Sequence, residues 1–168
     1  MTARQAAAWT AFFLIVAAAG GGLFARSGRD AIGLGKSASA TVERVVDGDT
    51  IVVRLNGRRE TVRYIGVDTP ESVKRNTPVE CFALRASNFN KSLVAHRKVR
   101  LQTDAELRDR YGRLLAYVAV GGRSVNAALL RGGYARTFEF PPNTSHAIEF
   151  AALAAKAGRA KVGLWGAC

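Results

Sequence analysis

Asn56-Gly57 constrains this chain more than any other pair of neighbours. It lies between two runs rich in β-branched residues, Thr50–Leu55 and 59–67. A two-residue type I′ turn needs positive φ at both central positions, and Asn-Gly meets that demand. A β-hairpin is therefore predicted. In its second strand Val62, Tyr64 and Gly66 alternate with Arg63, Ile65 and Val67, so the strand has two working faces. Asp68-Thr69-Pro70-Glu71 ends it, because proline cannot continue a central ladder. Upstream, 41–46 reads as another strand, joined to the hairpin by the turn Asp47-Gly48-Asp49.

The rest of the chain follows from periodicity and punctuation. Residues 72–79 read as a polar loop, and 80–96 as a helix with Phe82, Ala86, Phe89 and Leu93 on one face. Residues 98–103 and Leu114–Val120 are predicted strands. Val125–Arg131 is a short helix ended by Gly132-Gly133. Asn143 or Thr144 can cap a last helix, with Ile148, Ala152 and Ala155 on its inner face. Three strands, a helix, two strands and two helices predict an α+β fold. Its body is a five-stranded Greek-key β-barrel of the OB type with three α-helices.

An N-terminal hydrophobic helix is expected ahead of that barrel. The run from Ala6 to Ala25 holds no charge, and 20 helical residues span about 30 Å, enough for a bilayer core. Residues 1–25 read as a signal peptide or as a transmembrane signal anchor, and both remain open. Residues 26–40 are rich in Gly, Ser and Ala and read as a flexible linker. Residues 41–168 form the folded domain, which is expected outside the cytoplasm, secreted or membrane-anchored.

Charge points to a partner. The chain carries a formal net charge of +12, of which residues 41–168 hold 21 basic and 12 acidic side chains, a net +9. Such a domain attracts polyanions by steering and counterion release. Cys81 and Cys168 are the two cysteines, and an even count in an exported chain invites a disulfide. Neither His96 nor His146 has companions suited to zinc.

The strand ends and turns carry a cluster of both signs: Asp47 and Asp49, Arg63, Asp68 with Thr69 and Glu71, and Arg113 in the string DRYGR. Carboxylates hold a hard cation such as calcium, and guanidinium groups grip a phosphate bidentately. Several strings in this order resemble the staphylococcal nuclease (thermonuclease) family. They are DGDT at 47–50, Arg63, VDTPE at 67–71, VE at 79–80 with AS at 86–87, YGR and LAY at 111–117, VN at 125–126, and LW at 164–165.

The resemblance implies an OB barrel with three helices and calcium-dependent cleavage of DNA and RNA. It implies that Asp49, Asp68 and the Thr69 carbonyl hold Ca2+. Glu71 would handle the attacking water, and Arg63 and Arg113 the scissile phosphate. Asp47 would lie just behind the ligands. Arg110 and Tyr111 become phosphate contacts beside the site. Phe138 and Phe140 stand where the family places tyrosines near the nucleotide base; phenyl rings can stack on a base but cannot donate a hydroxyl hydrogen bond. The cysteine pair is a second departure, since the namesake enzyme lacks it. No protein partner is implied, and a monomer is expected. The membrane would be a partner only through an uncleaved N-terminal segment. A non-catalytic module that binds nucleic acid while tethered to a membrane is the alternative. Such a module should have lost at least one of Asp49, Arg63, Asp68, Glu71 and Arg113, and all five are present. A structural protein whose basic face meets anionic lipid would leave the carboxylates unexplained.

Overall fold

In a computed structural model, residues 37–72 and 78–168 are described. The expected N-terminal helix (1–25), most of the expected linker, and residues 73–77 lie outside them. Among the described residues eight strands and four helices follow one another: β1 (Ser37–Val45), β2 (Thr50–Leu55), β3 (Arg58–Tyr64), β4 (Val67–Asp68), α1 (Ala83–Val94), β5 (Lys98–Gln102), β6 (Leu114–Val120), β7 (Arg123–Ser124), α2 (Val125–Arg131), β8 (Arg136–Thr137), α3 (Ala147–Arg159) and α4 (Leu164–Ala167).

Five strands close into a barrel. The ladder runs β3-β2-β1-β5-β6, with neighbours antiparallel, and β3 closes on β6 in parallel, Val62 opposite Leu114. The predicted hairpin is present. Asn56 and Gly57 both hold positive φ (49° and 78°), and Arg54 faces Arg59 across the ladder. Ile51, Val53, Leu55, Val62, Leu101 and Leu114 fill the barrel, each fully buried. Alternation accounts for this in β5, where Val99 and Leu101 point inward between exposed Lys98, Arg100 and Gln102.

Four local expectations need correction. Ser37–Ala40, assigned to the linker, belongs to β1 and pairs with 99–102 of β5. Small polar side chains resemble a linker, but here backbone pairing supplies the order. The first helix begins at Ala83 instead of residue 80, and no side chain caps it. The last helix is preceded by His146, without a side-chain cap; Asn143 is spent elsewhere, its amide bridging the Glu106 backbone at 2.6 and 3.0 Å. Its inner face is Phe150, Ala154 and Ala157, whereas Ile148 is 90% exposed and Ala152 and Ala155 point outward. The bulky Phe150 ring sets the buried stripe, two positions on from where Ile148 would have put it.

Cys81 and Cys168 are bonded, 87 positions apart, so the expected disulfide is part of the fold. Among the described residues no helix is long and apolar enough to cross a membrane.

Candidate active site

The turn between β1 and β2, the end of β3, the β4 segment and the start of β6 meet at one pocket of about 220 Å³. Asp47, Asp49, Arg63, Asp68, Thr69, Glu71 and Arg113 line it together with Thr50 and Pro70. Residues expected to act as one unit, from three separate strings of the sequence, are thus brought to one place.

Asp49 is the buried centre, with its side chain 7% exposed. Its Oδ2 accepts from the Thr69 amide at 2.8 Å and the Thr69 hydroxyl at 2.9 Å. Its Oδ1 accepts from the Thr50 hydroxyl and meets Nη1 of Arg63 at 3.1 Å. Gly48 is what lets the two strands come this close. A Cβ there would lie 2.6 Å from the Thr69 hydroxyl oxygen, closer than real Cβ contacts allow. Asp47 accepts from the Asp49 amide, and its carbonyl is held by Asn90 of α1, which also accepts from the buried Tyr64 hydroxyl. Helix α1 therefore braces the acidic turn from behind.

Arg63 is almost fully buried. Its Nη1 donates to the carbonyls of Tyr64 and Val67, and its Nη2 donates to Oδ1 of Asp68 at 2.7 Å. The guanidinium thus bridges the two aspartates, and the Phe140 ring lies 5.8 Å from it. Arg113 enters from the far side with its Nε fixed by Asp109 at 2.7 Å. Asp109 also accepts from the amides of Tyr111 and Arg113, which shapes the DRYGR turn.

Negative charge is crowded here. Asp47 is pushed up to about 6, chiefly by burial and then by the charge of Asp49. Asp68 is also raised. Loss of hydration is the main cause, Arg63 opposes it, and Asp49, Glu80 and Glu71 reinforce it. A cation in the pocket would relieve both. Every donor in reach is oxygen, which suits a hard ion such as calcium. Among the described residues no three acidic, histidine or cysteine side chains converge as a closed metal cage. A cation would therefore complete its shell with backbone carbonyl and water, as calcium readily does.

The remaining candidates sit at the rim. Tyr111 is 68% exposed, and the guanidinium groups of Arg110 and Arg113 lie 4.8 and 5.5 Å from its ring centre. Phe138 and Phe140 meet edge to face at 4.8 Å, and Phe138 is 46% exposed. Phe140 lies beside Arg63 and packs against the barrel core, with the more exposed Phe138 against its ring. Sequence reasoning missed two residues. Asp109 belonged to a string already singled out, but its partner is the arginine of its own turn. Glu80 bonds the backbone of Glu71, a contact that no spacing rule signals.

Comparison with known proteins bears on this geometry. The model of the family described as staphylococcal nuclease homologue matches residues 61–167. The chain belongs to the staphylococcal nuclease family. A thermonuclease of Staphylococcus intermedius is 42% identical over 146 residues, covering 87% of this chain and 84% of the relative. A thermonuclease of Staphylococcus hyicus is 43% identical over 124 residues, 74% of this chain and 73% of the relative. Endonuclease YncB of Bacillus subtilis (strain 168) is 44% identical over 132 residues, 77% of this chain and 63% of the relative.

Proposed function

We propose that this chain is a calcium-dependent nuclease that hydrolyses phosphodiester bonds of DNA and RNA. The observation that carries the proposal is the meeting of Asp49, Asp68, Thr69 and Glu71 with Arg63 and Arg113 in one small polar pocket. Relatives named thermonuclease and endonuclease support it.

Asp49, Asp68 and the Thr69 carbonyl would hold the cation. When bound, calcium would neutralise phosphate charge and acidify a nearby water. Glu71 accepts the proton of the attacking water as its oxygen bonds to phosphorus and the bond to the leaving oxygen breaks. Negative charge grows on the phosphoryl oxygens as this happens. Arg63 and Arg113 oppose it with planar, preorganised donors, which lysine could not match. Asp109 keeps the Arg113 fork aimed into the pocket. Arg110 and Tyr111 would contact the flanking phosphate, and Phe138 and Phe140 would stack on a base. The uncharged run at 6–25 supports export, with the domain outside the cytoplasm, membrane-anchored or secreted.

The test is digestion of plasmid DNA and of RNA side by side, in calcium and in excess EGTA. Cleavage of both in calcium and none in EGTA is expected. Undiminished cleavage in EGTA would sink the calcium role.

A further inference from the structure

Glu71 is held by its backbone. Its amide donates to Oε2 of Glu80 at 2.9 Å, and its carbonyl accepts from the Glu80 amide at 3.0 Å. Glu80 therefore clamps the main chain of Glu71 at two points, across nine positions of sequence. These bonds are exposed, so water competes for them, and they persist only if Glu80 is kept in place.

What keeps it there is covalent. The next residue, Cys81, is bonded to Cys168. Cys168 follows α4, whose Leu164 is 2% exposed and whose Leu164 amide donates to the Gly133 carbonyl at 2.8 Å. On its other side Glu80 accepts from the amide of Ala83, the first residue of α1, and no side chain caps that helix. A continuous path thus runs from the buried Leu164 through the disulfide to Glu80 and on to Glu71. Both sulfurs belong to exposed residues, open to a reductant in solution.

We propose that Glu80 is a positioning residue for Glu71, and that the Cys81–Cys168 bond makes turnover respond to the redox state of the surroundings. The proposal rests on the role of Glu71 given above. A dithiol supplies two electrons and two protons: the S–S bond breaks, Cys81 and Cys168 become thiols, and the dithiol becomes a disulfide. Glu80 then loses its covalent tie to α4. Glu71 no longer has a fixed backbone from which to reach the water, while phosphate grip by Arg63 and Arg113 is untouched. The chemical step suffers and binding does not.

The experiment measures kcat and KM on a DNA oligonucleotide in calcium, using the full chain, oxidised or treated with dithiothreitol, with thiols titrated in each sample. The set comprises wild type, Glu80→Ala, Glu80→Gln, Cys168→Ser and Glu71→Gln. Glu80→Ala is expected to lower kcat about tenfold with KM unchanged, because small misplacements of a catalytic group cost that much or more. Glu80→Gln should recover most of the loss, since its amide oxygen still accepts from the Glu71 amide. Reduction, or Cys168→Ser, should lower the kcat of an otherwise wild-type chain and lower that of Glu80→Ala less, since only the bond from the residue-80 amide to the Glu71 carbonyl is left to loosen. Unchanged kcat in Glu80→Ala, or an equal further loss on reducing Glu80→Ala, overturns the proposal. Glu80→Ala keeps its disulfide, so it tests positioning even if the reduced chain unfolds. Glu71→Gln separates the two levels. If it is inactive while Glu80→Ala is not impaired, the nuclease reading stands and the positioning fails. If it turns over like wild type, the role of Glu71 fails and the inference with it.

Discussion

Arg63 and Arg113 face the same pocket but are built in differently. The Arg63 side chain is 8% exposed, bonds two backbone carbonyls and bridges two aspartates, one of them as buried as itself. Arg113 is 30% exposed and pairs with Asp109. Removing one partner of a buried ion pair leaves an uncompensated charge, at about 3–5 kcal/mol, whereas Asp109, though 9% exposed, keeps the amides of Tyr111 and Arg113 when the partly exposed Arg113 side chain is removed. Arg63→Ala and Arg113→Ala should therefore both lose activity, by about 10²-fold or more, but only Arg63→Ala should shift the urea midpoint strongly in calcium-free buffer. Equal midpoints would show that Arg63 does not brace the fold. Side-chain types at strand ends revealed which residues meet; that Arg63 is roofed over by the β3–β4 turn is a tertiary fact with no local signal.

Among elements, the join between β6 and the loop before α3 rests on one carboxylate. Asp104 accepts from the Ser145 amide and hydroxyl, the Tyr117 hydroxyl and the Ala105 amide. Burial opposes its ionisation, yet these four donors together hold it below the ordinary 3.8. A carboxyl lowered in the folded state contributes stability that is fully present above its unfolded value. That stability is lost as pH falls through the lower folded value. Wild type should therefore lose stability below about pH 4, and Asp104→Asn should show a flatter acid limb together with a lower plateau at pH 7. Urea midpoints measured from pH 7 down to 2.5 check this; parallel acid limbs would exclude Asp104 as a source. The helix that this join leads into was legible in existence and only partly in orientation. Ile148 fits an apolar stripe as well as Phe150 does, and only the shape of the barrel, with Gly66 sitting against the Phe150 ring, decides between them. The barrel strands were more readable, because Asn56-Gly57 fixes one hairpin and alternation fixes which side faces in.

At the scale of the whole molecule, the excess of basic residues carries its own consequence. Residues 41–168 hold a net +9, while the pocket itself is crowded with acids. Attraction of a polyanion thus comes from the surroundings and the arginine rim, and the chemistry from the centre. Among the described residues, Arg63 and Arg113 line the pocket, and Arg110 lies on the Tyr111 ring. A single strand neutralised at three or four phosphates releases counterions with a log–log slope of about −0.7 per phosphate. Raising sodium chloride from about 50 to 200 mM should then raise KM roughly 20- to 50-fold for single-stranded DNA. The kcat should change little, because short-range contacts inside the pocket are screened far less than long-range attraction. Arg110→Ala should flatten the salt slope by about one phosphate's worth, since it removes a charge outside the pocket lining. Parallel salt dependences for wild type and Arg110→Ala would place the substrate on another side of the barrel.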